Sequence, residues 1–199
     1  MTATVTVWPH FRRVKHPPGT LVISTTHRDC VDLSPFALGP CKLWGKYSSM
    51  NMENAWQFSK VYPEAGHWRN GRPSFVWFMW AKRGWADQRA HRYPMGKGAI
   101  PAGSWWDGEL LEYIEARKAI YAPLYAELVQ RTPTFKRLVK EMKTRERIVL
   151  LDYDAYDHRA GGMTLTDVLN NPRQKMGHAF VLAMLLTNDA ALSQLKIRG

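Results

Sequence analysis

Cysteine is scarce: there are 2 in 199 residues, Cys30 and Cys41. They form no CxxC pair, so no disulfide framework is expected and a reducing, cytoplasmic setting is. No histidine cluster has metal-ligand spacing, and neither a metal nor a cofactor is expected. Long apolar runs are missing as well. The longest, "AFVLAMLL", falls well short of the ~20 residues that cross a bilayer, so no membrane partner is expected. The opening "MTATVTVWPHFRRVKH" lacks the apolar core of a secretory leader. Internal repeats and low-complexity segments are also lacking. Acids are few: 17 Asp and Glu face 28 Lys and Arg, and 28 − 17 leaves a net charge of +11. That excess favours a polyanionic partner, nucleic acid first.

What is present is an ordinary globular composition, 45 % hydrophobic and 23 % charged, of a length that suits one domain with a real core. Nine tryptophans exceed what such a core requires, and some are expected to line a cleft. Residues 1–30 read as an N-terminal arm whose first twenty residues are irregular, because "KHPPGT" blocks regular structure. Residues 31–190 read as the domain and 191–199 as a tail. "TLVIST" is a strand, "PFALGPCKLW" two short strands, and "SSMNMENAWQFSK" a helix capped by Ser49 or Asn51. Residues 63–104 form an insertion rich in Gly, Pro, Arg and Trp, with a short helix around "SFVWFMWAKRGW". A long helix runs from a cap at Asp107, with Pro123 expected to kink or split it. Thr132-Pro133 opens another, "RIVLLDYD" is a buried strand, and Asn171 caps the last helix, through "MGHAFVLAMLL". The sum is a single α+β domain, mostly helical, with a small sheet.

Four stretches could carry chemistry. At about 100° per residue, Glu53, Gln57 and Lys60 share a narrow arc flanked by Trp56, Phe58 and Tyr62. A solvated polar stripe would read the same way, but aromatic walls would desolvate the carboxylate and make a nearby cation useful. The strand "RIVLLDYD" ends in Asp152 and Asp154, with Asp157 and His158 beyond. Such acids suit proton transfer or stabilisation of a cationic transition state, or simply cap the next turn. The insertion interleaves Arg69, Arg72, Lys82, Arg83, Arg89, Arg92 and Lys97 with Trp68, Trp77, Trp80, Trp85 and Tyr93, a pattern that core tryptophans and solubilising cations would also give. Guanidinium groups for phosphate and rings for bases are the parts of a single-strand or flipped-base site. Gly177, read as lying inside the last helix, would admit a close approach by backbone or ligand.

The order of these pieces resembles the NADAR family of YbiA-type N-glycosidases. The matching segments are Leu33-Ser34-Pro35-Phe36, then Ser49 through Glu53, Gln57 and Lys60, then Trp105-Trp106. Asp152 with Asp157 five residues on, and Gln174 through Ala179, complete the set. Asp152 stands where the family has Glu, Gln174 where it has Asn, and His158-Arg159 where it has Trp-Gly. A Lys-Phe pair of the family's long helix has no clear counterpart, Glu127-Leu128 falling near it. The resemblance implies a NADAR-like α+β fold and cleavage of a C–N glycosidic bond in a ribosylated or ADP-ribosylated substrate, ADP-ribosyl-guanine in nucleic acid among them. Relatives also act on phosphoribosyl-amino intermediates of riboflavin synthesis. It implies Glu53, Lys60, Asp152 and Asp157 as catalytic groups. Around the substrate, Trp44, Asn51, Gln57, Arg92, Lys97, Trp105, Trp106 and Gly177 are expected, Arg92 and Lys97 from the basic aromatic insertion. Two other readings stand beside it: a non-catalytic nucleic-acid binder on the same scaffold, and a base-modifying transferase using the same pocket.

Overall fold

A computed structural model describes residues 2–12 and 14–196. The first elements are β1 (Thr4–Pro9), β2 (Leu21–Ser24), β3 (Cys41–Lys42), β4 (Ser48–Ser49), α1 (Met52–Gln57) and β5 (Lys60–Val61). There follow β6 (Trp68–Arg69), β7 (Arg72–Pro73), α2 (Phe75–Ala86), β8 (Gly103–Trp106), β9 (Glu109–Leu111) and α3 (Tyr113–Ala116). A π turn over Arg117–Tyr121 leads into α4 (Ala122–Val129). Then come α5 (Pro133–Glu141), β10 (Arg147–Asp152), α6 (Leu165–Asn170) and α7 (His178–Thr187). The architecture is mixed α+β. The chain forms two compact units, one of residues 35–124, the other of residues 1–34 and 125–199.

The discontinuous unit is built on a parallel sheet of order β1-β10-β2. Its central strand, "RIVLLD", is apolar on both faces, as expected for a parallel strand covered on both sides. Residues 1–20, expected to be irregular, supply β1. Thr-Val alternation puts Val5 and Val7 into the core, while Thr4 stays exposed. The "KHPPGT" breaker acts only after that strand has ended. α7 packs on β1 and β10, and eight of its ten residues are buried, so its apolar circumference is a core feature. The helix begins at His178, not at Asn171, and Gly177 is its N-cap rather than an interior residue. The reason is the Asp152 carboxylate, which accepts from the Ala179 amide at 3.0 Å and so supplies the cap that glycine lacks. A Cβ on residue 177 would overlap Asp152 Oδ2. Of the expected tail, Ala190–Gln194 is a 3-10 turn with Ala191 buried, and 197–199 lie outside the described residues.

The continuous unit is held by short antiparallel pairs. β8 and β9 join through Asp107 (φ 49°) and Gly108 (φ 93°), a two-residue hairpin of the type that needs two left-handed residues. Asp107 is therefore a turn residue and not the cap of the long helix. Asn70 (φ 52°) and Gly71 (φ 74°) make the same turn between β6 and β7. "PFALGPCKLW" supplies one strand, β3, which pairs with β4. Pro123 does not break its helix. The π turn just ahead of it places an extra residue where the missing N–H and the ring clash would otherwise fall. The caps expected at Asn51 and Thr132 are both present.

Gly177→Ala is expected to lower stability by about 1–3 kcal/mol, because the added methyl displaces the capping carboxylate. Urea denaturation of variant and wild type measures it, and an unchanged midpoint would contradict the packing.

Candidate active site

The continuous unit gathers Glu53, Gln57 and Lys60 into one hydrogen-bonded chain. Asn51 caps α1 by accepting from the Asn54 amide at 2.8 Å, which aims the first helical turn. Glu53 sits in that turn and is only 6 % exposed. Gln57, one turn on, donates from Nε2 to Glu53 Oε1 at 2.9 Å. Lys60 donates from Nζ to Gln57 Oε1 at 2.6 Å. An amide between a carboxylate and an ammonium group fits in one orientation only, so Gln57 is locked. The helix, though, ends at Gln57, and Lys60 lies on β5. The helical spacing expected across all three holds for the first pair only. Lys60 is brought back by the turn at Phe58 and by pairing of β5 with β8, which sets Lys60 opposite Ser104.

Two rings border the ammonium group. Lys60 Nζ lies 5.1 Å from the centroid of Trp56, and Trp56 meets Tyr121 edge-on at 5.4 Å. A cation over a partly desolvated indole is held electrostatically by the ring quadrupole. Tyr121 closes the π turn, and the same turn buries the Arg117 guanidinium over Tyr113 at 4.6 Å. Turns of this type are frequent at functional sites. Reading the residues alone misses Tyr121 and Arg117. The one signal for them is Pro123, which marks where the helix must depart from regularity.

Other expected substrate contacts have structural duties. Trp44 and Trp106 are both buried, and their rings meet at 4.7 Å, with Trp85 against Trp44 at 5.2 Å. Both indoles are buried in this edge-to-face cluster, which leaves no open face for the base that either was expected to stack on. Asn51 is occupied as the cap, and its Nδ2 donates to the Gln88 carbonyl at 3.2 Å. Its neighbour Asn54, wholly buried, clamps the same loop: it donates to the carbonyls of Asp87 and Arg89 and accepts from the His91 amide. Trp105 occupies the alternate position to Ser104 on β8 and meets Trp68 at 6.0 Å. Arg92 lies over Tyr93 at 5.6 Å, and Lys97 is exposed between Gly96 and Gly98.

The remaining expected acids belong to the discontinuous unit. Asp152 is buried and committed: besides the Ala179 amide it holds His178 Nδ1 at 3.2 Å. The role expected for it in proton transfer is replaced by that of an anchor for α7. The space at Gly177 is filled by that same carboxylate and admits no ligand atom there. Asp157 pairs with the Arg12 guanidinium at 3.0 Å and is more accessible. Among the described residues, no group of three metal-ligating side chains is found, and no helix is long and apolar enough to cross a membrane. Comparison with protein-family models, curated proteins and solved structures finds no match.

Burial depresses the pKa of His67, packed on Trp80, and of His158, packed on Phe180. Both imidazoles are held neutral in the fold. As pH falls below about 6.5 the unfolded chain takes up protons that these folded sites refuse, so stability is lost on the acid side. The melting temperature should fall between about pH 7.5 and about pH 5.5, and less so in a His67→Gln/His158→Gln variant. An equal fall in that variant would contradict the assignment.

Proposed function

We propose that the chain is an N-glycosidase that hydrolyses the C–N bond between a ribose and a base or amine. The observation that carries this reading is the buried Glu53 carboxylate, tied through Gln57 to the Lys60 ammonium group beside Trp56. As the bond lengthens, positive charge develops on the ribose ring. A carboxylate held in a site shielded from water stabilises that charge far more than it would in bulk solvent. The nitrogen leaves with the bonding electron pair. Water attacks C1′ and gives up a proton to Glu53, which passes it to the departing nitrogen and is regenerated as a carboxylate. Overall, hydroxyl is added to C1′ and hydrogen to nitrogen.

Lys60 supplies the cation. Its charge offsets the burial of Glu53 and suits a phosphate on the substrate. Once deprotonated, the same amine could attack the aldehyde carbon of the opened sugar and form an imine with loss of water. Trp56 and Tyr121, half-buried beside Lys60, are the rings proposed to border a base or ribose, in place of the buried Trp44 and Trp106. No proton step is assigned to Asp152. The order of motifs that resembles the NADAR family supports the same chemistry, with ADP-ribosyl-guanine and phosphoribosyl-amino compounds as the substrates to try first.

Incubation with ADP-ribosylated guanine DNA and with phosphoribosyl-amino pyrimidines should release free base, amine or ADP-ribose from one of them. Glu53→Gln keeps the shape and the hydrogen bond but removes the charge. It should lower kcat by about 10²–10³-fold with an unchanged circular dichroism spectrum. Absence of turnover by folded wild-type protein, or full activity in Glu53→Gln, would overturn the proposal.

A further inference from the structure

The hairpin β6–β7 and the start of α2 enclose an open groove of about 780 Å³ that the glycosidase chemistry does not use. It is lined by Trp68, Arg69, Asn70, Arg72, Phe75 and Phe78, together with smaller residues, and no acid lines it. Its size falls in the range of sites that take nucleotide-sized ligands. The cross-strand register sets Arg69 directly opposite Arg72, next to the Asn70-Gly71 turn. Like charges in that position repel and weaken a two-stranded pair. Neither guanidinium makes an ion pair among the described residues, and both are exposed. A hairpin this short keeps such a pair at a cost, which an anion between the two guanidinium groups would relieve.

The apolar part of the groove is equally unspent. Phe75 is 77 % exposed, and Val76 and Met79 are each 53 % exposed along α2. Lys82 and Arg83 continue that outward face one turn further on, while Trp77, Ala81, Gly84 and Trp85 form the buried one. Trp68, at the groove wall, meets Trp105 edge-on at 6.0 Å. Aromatic rings within reach of paired arginines match the alternation of base and phosphate along a strand whose bases are unpaired. A duplex hides its base faces and would leave these rings without partners. An anionic membrane would meet the same charges, but a concave groove receives a flat base better than it inserts into lipid.

We propose that this groove binds single-stranded nucleic acid, with phosphate between Arg69 and Arg72 and bases against Trp68 and Phe75. The site stands independently of the glycosidase reading. If that reading also holds, it supplies a second hold on a polymeric substrate.

Fluorescence anisotropy with a labelled thymidylate oligomer of about twelve nucleotides, full-length protein and a salt series tests it. Arg69→Ala/Arg72→Ala should weaken binding at least about tenfold and reduce the salt slope by about 0.7 for each phosphate that is no longer neutralised. Phe75→Ala, at a position too exposed to affect folding, should weaken binding about tenfold with the salt slope unchanged. Glu53→Gln should bind as wild type does, which separates this site from catalysis. Equal affinity of wild type and both groove variants would overturn the proposal. So would preference for duplex over single strand. Sedimentation with phosphatidylserine vesicles that is abolished in Phe75→Ala, without oligomer binding, would overturn it in favour of a membrane surface.

Discussion

A carboxylate with little access to water must be matched by a cation or by hydrogen-bond donors, and Glu53 is that carboxylate here. An amide carries part of the match. Gln57 links Lys60 to Glu53 over two hydrogen bonds, of 2.6 Å to the ammonium group and 2.9 Å to the carboxylate. Much of the continuous unit serves to hold this chain. Asn51 fixes the start of α1, β8 fixes Lys60 by pairing with β5, and the π turn brings Tyr121 to Trp56. The result is a negative and a positive group held at the two ends of one amide, in a fixed orientation. A cationic sugar bearing a phosphate would use both.

The discontinuous unit has its own dependency. Asp152, at the end of the central strand, terminates β10 and caps α7 with one carboxylate. The cap works because residue 177 has no side chain to occupy the same space. His178 joins the cluster through Nδ1, and Tyr125, whose hydroxyl donates to the Leu33 carbonyl, packs against its ring. Burial raises the Tyr125 pKa, with the Asp152 charge adding to the effect, so the phenol stays a donor. Sheet and helix are thereby joined by polar groups inside an apolar core, although His178 Nε2, also buried, has no hydrogen-bond partner among the described residues.

Local signals carried much of this. The cap at Asn51, the Thr132-Pro133 start and the apolar strand before Asp152 each follow from residue chemistry within one turn or one strand, and each is present. The grouping of Glu53, Gln57 and Lys60 was legible because two of the three lie one helical turn apart. What was illegible depends on tertiary partners. Only the packed fold reveals that Trp44 and Trp106 are buried against each other, or that Asp152 rather than Asn171 caps the last helix. Some misses had a local signal. "TVTVW" alternates as a strand should, and Asn70-Gly71 and Asp107-Gly108 are the pairs that two-residue hairpins require. Proline-rich and helix-like neighbours masked them.

Whether the buried carboxylate and its linked ammonium group hold a ribose is the central question, and a crystal of the protein soaked with ADP-ribose addresses it most directly. Density is expected for a ribose whose C1′ faces the Glu53 carboxylate, with a phosphate oxygen within hydrogen-bond distance of Lys60 Nζ. Ordered ligand bound elsewhere, with Glu53, Gln57 and Lys60 sealed from it, would contradict the account.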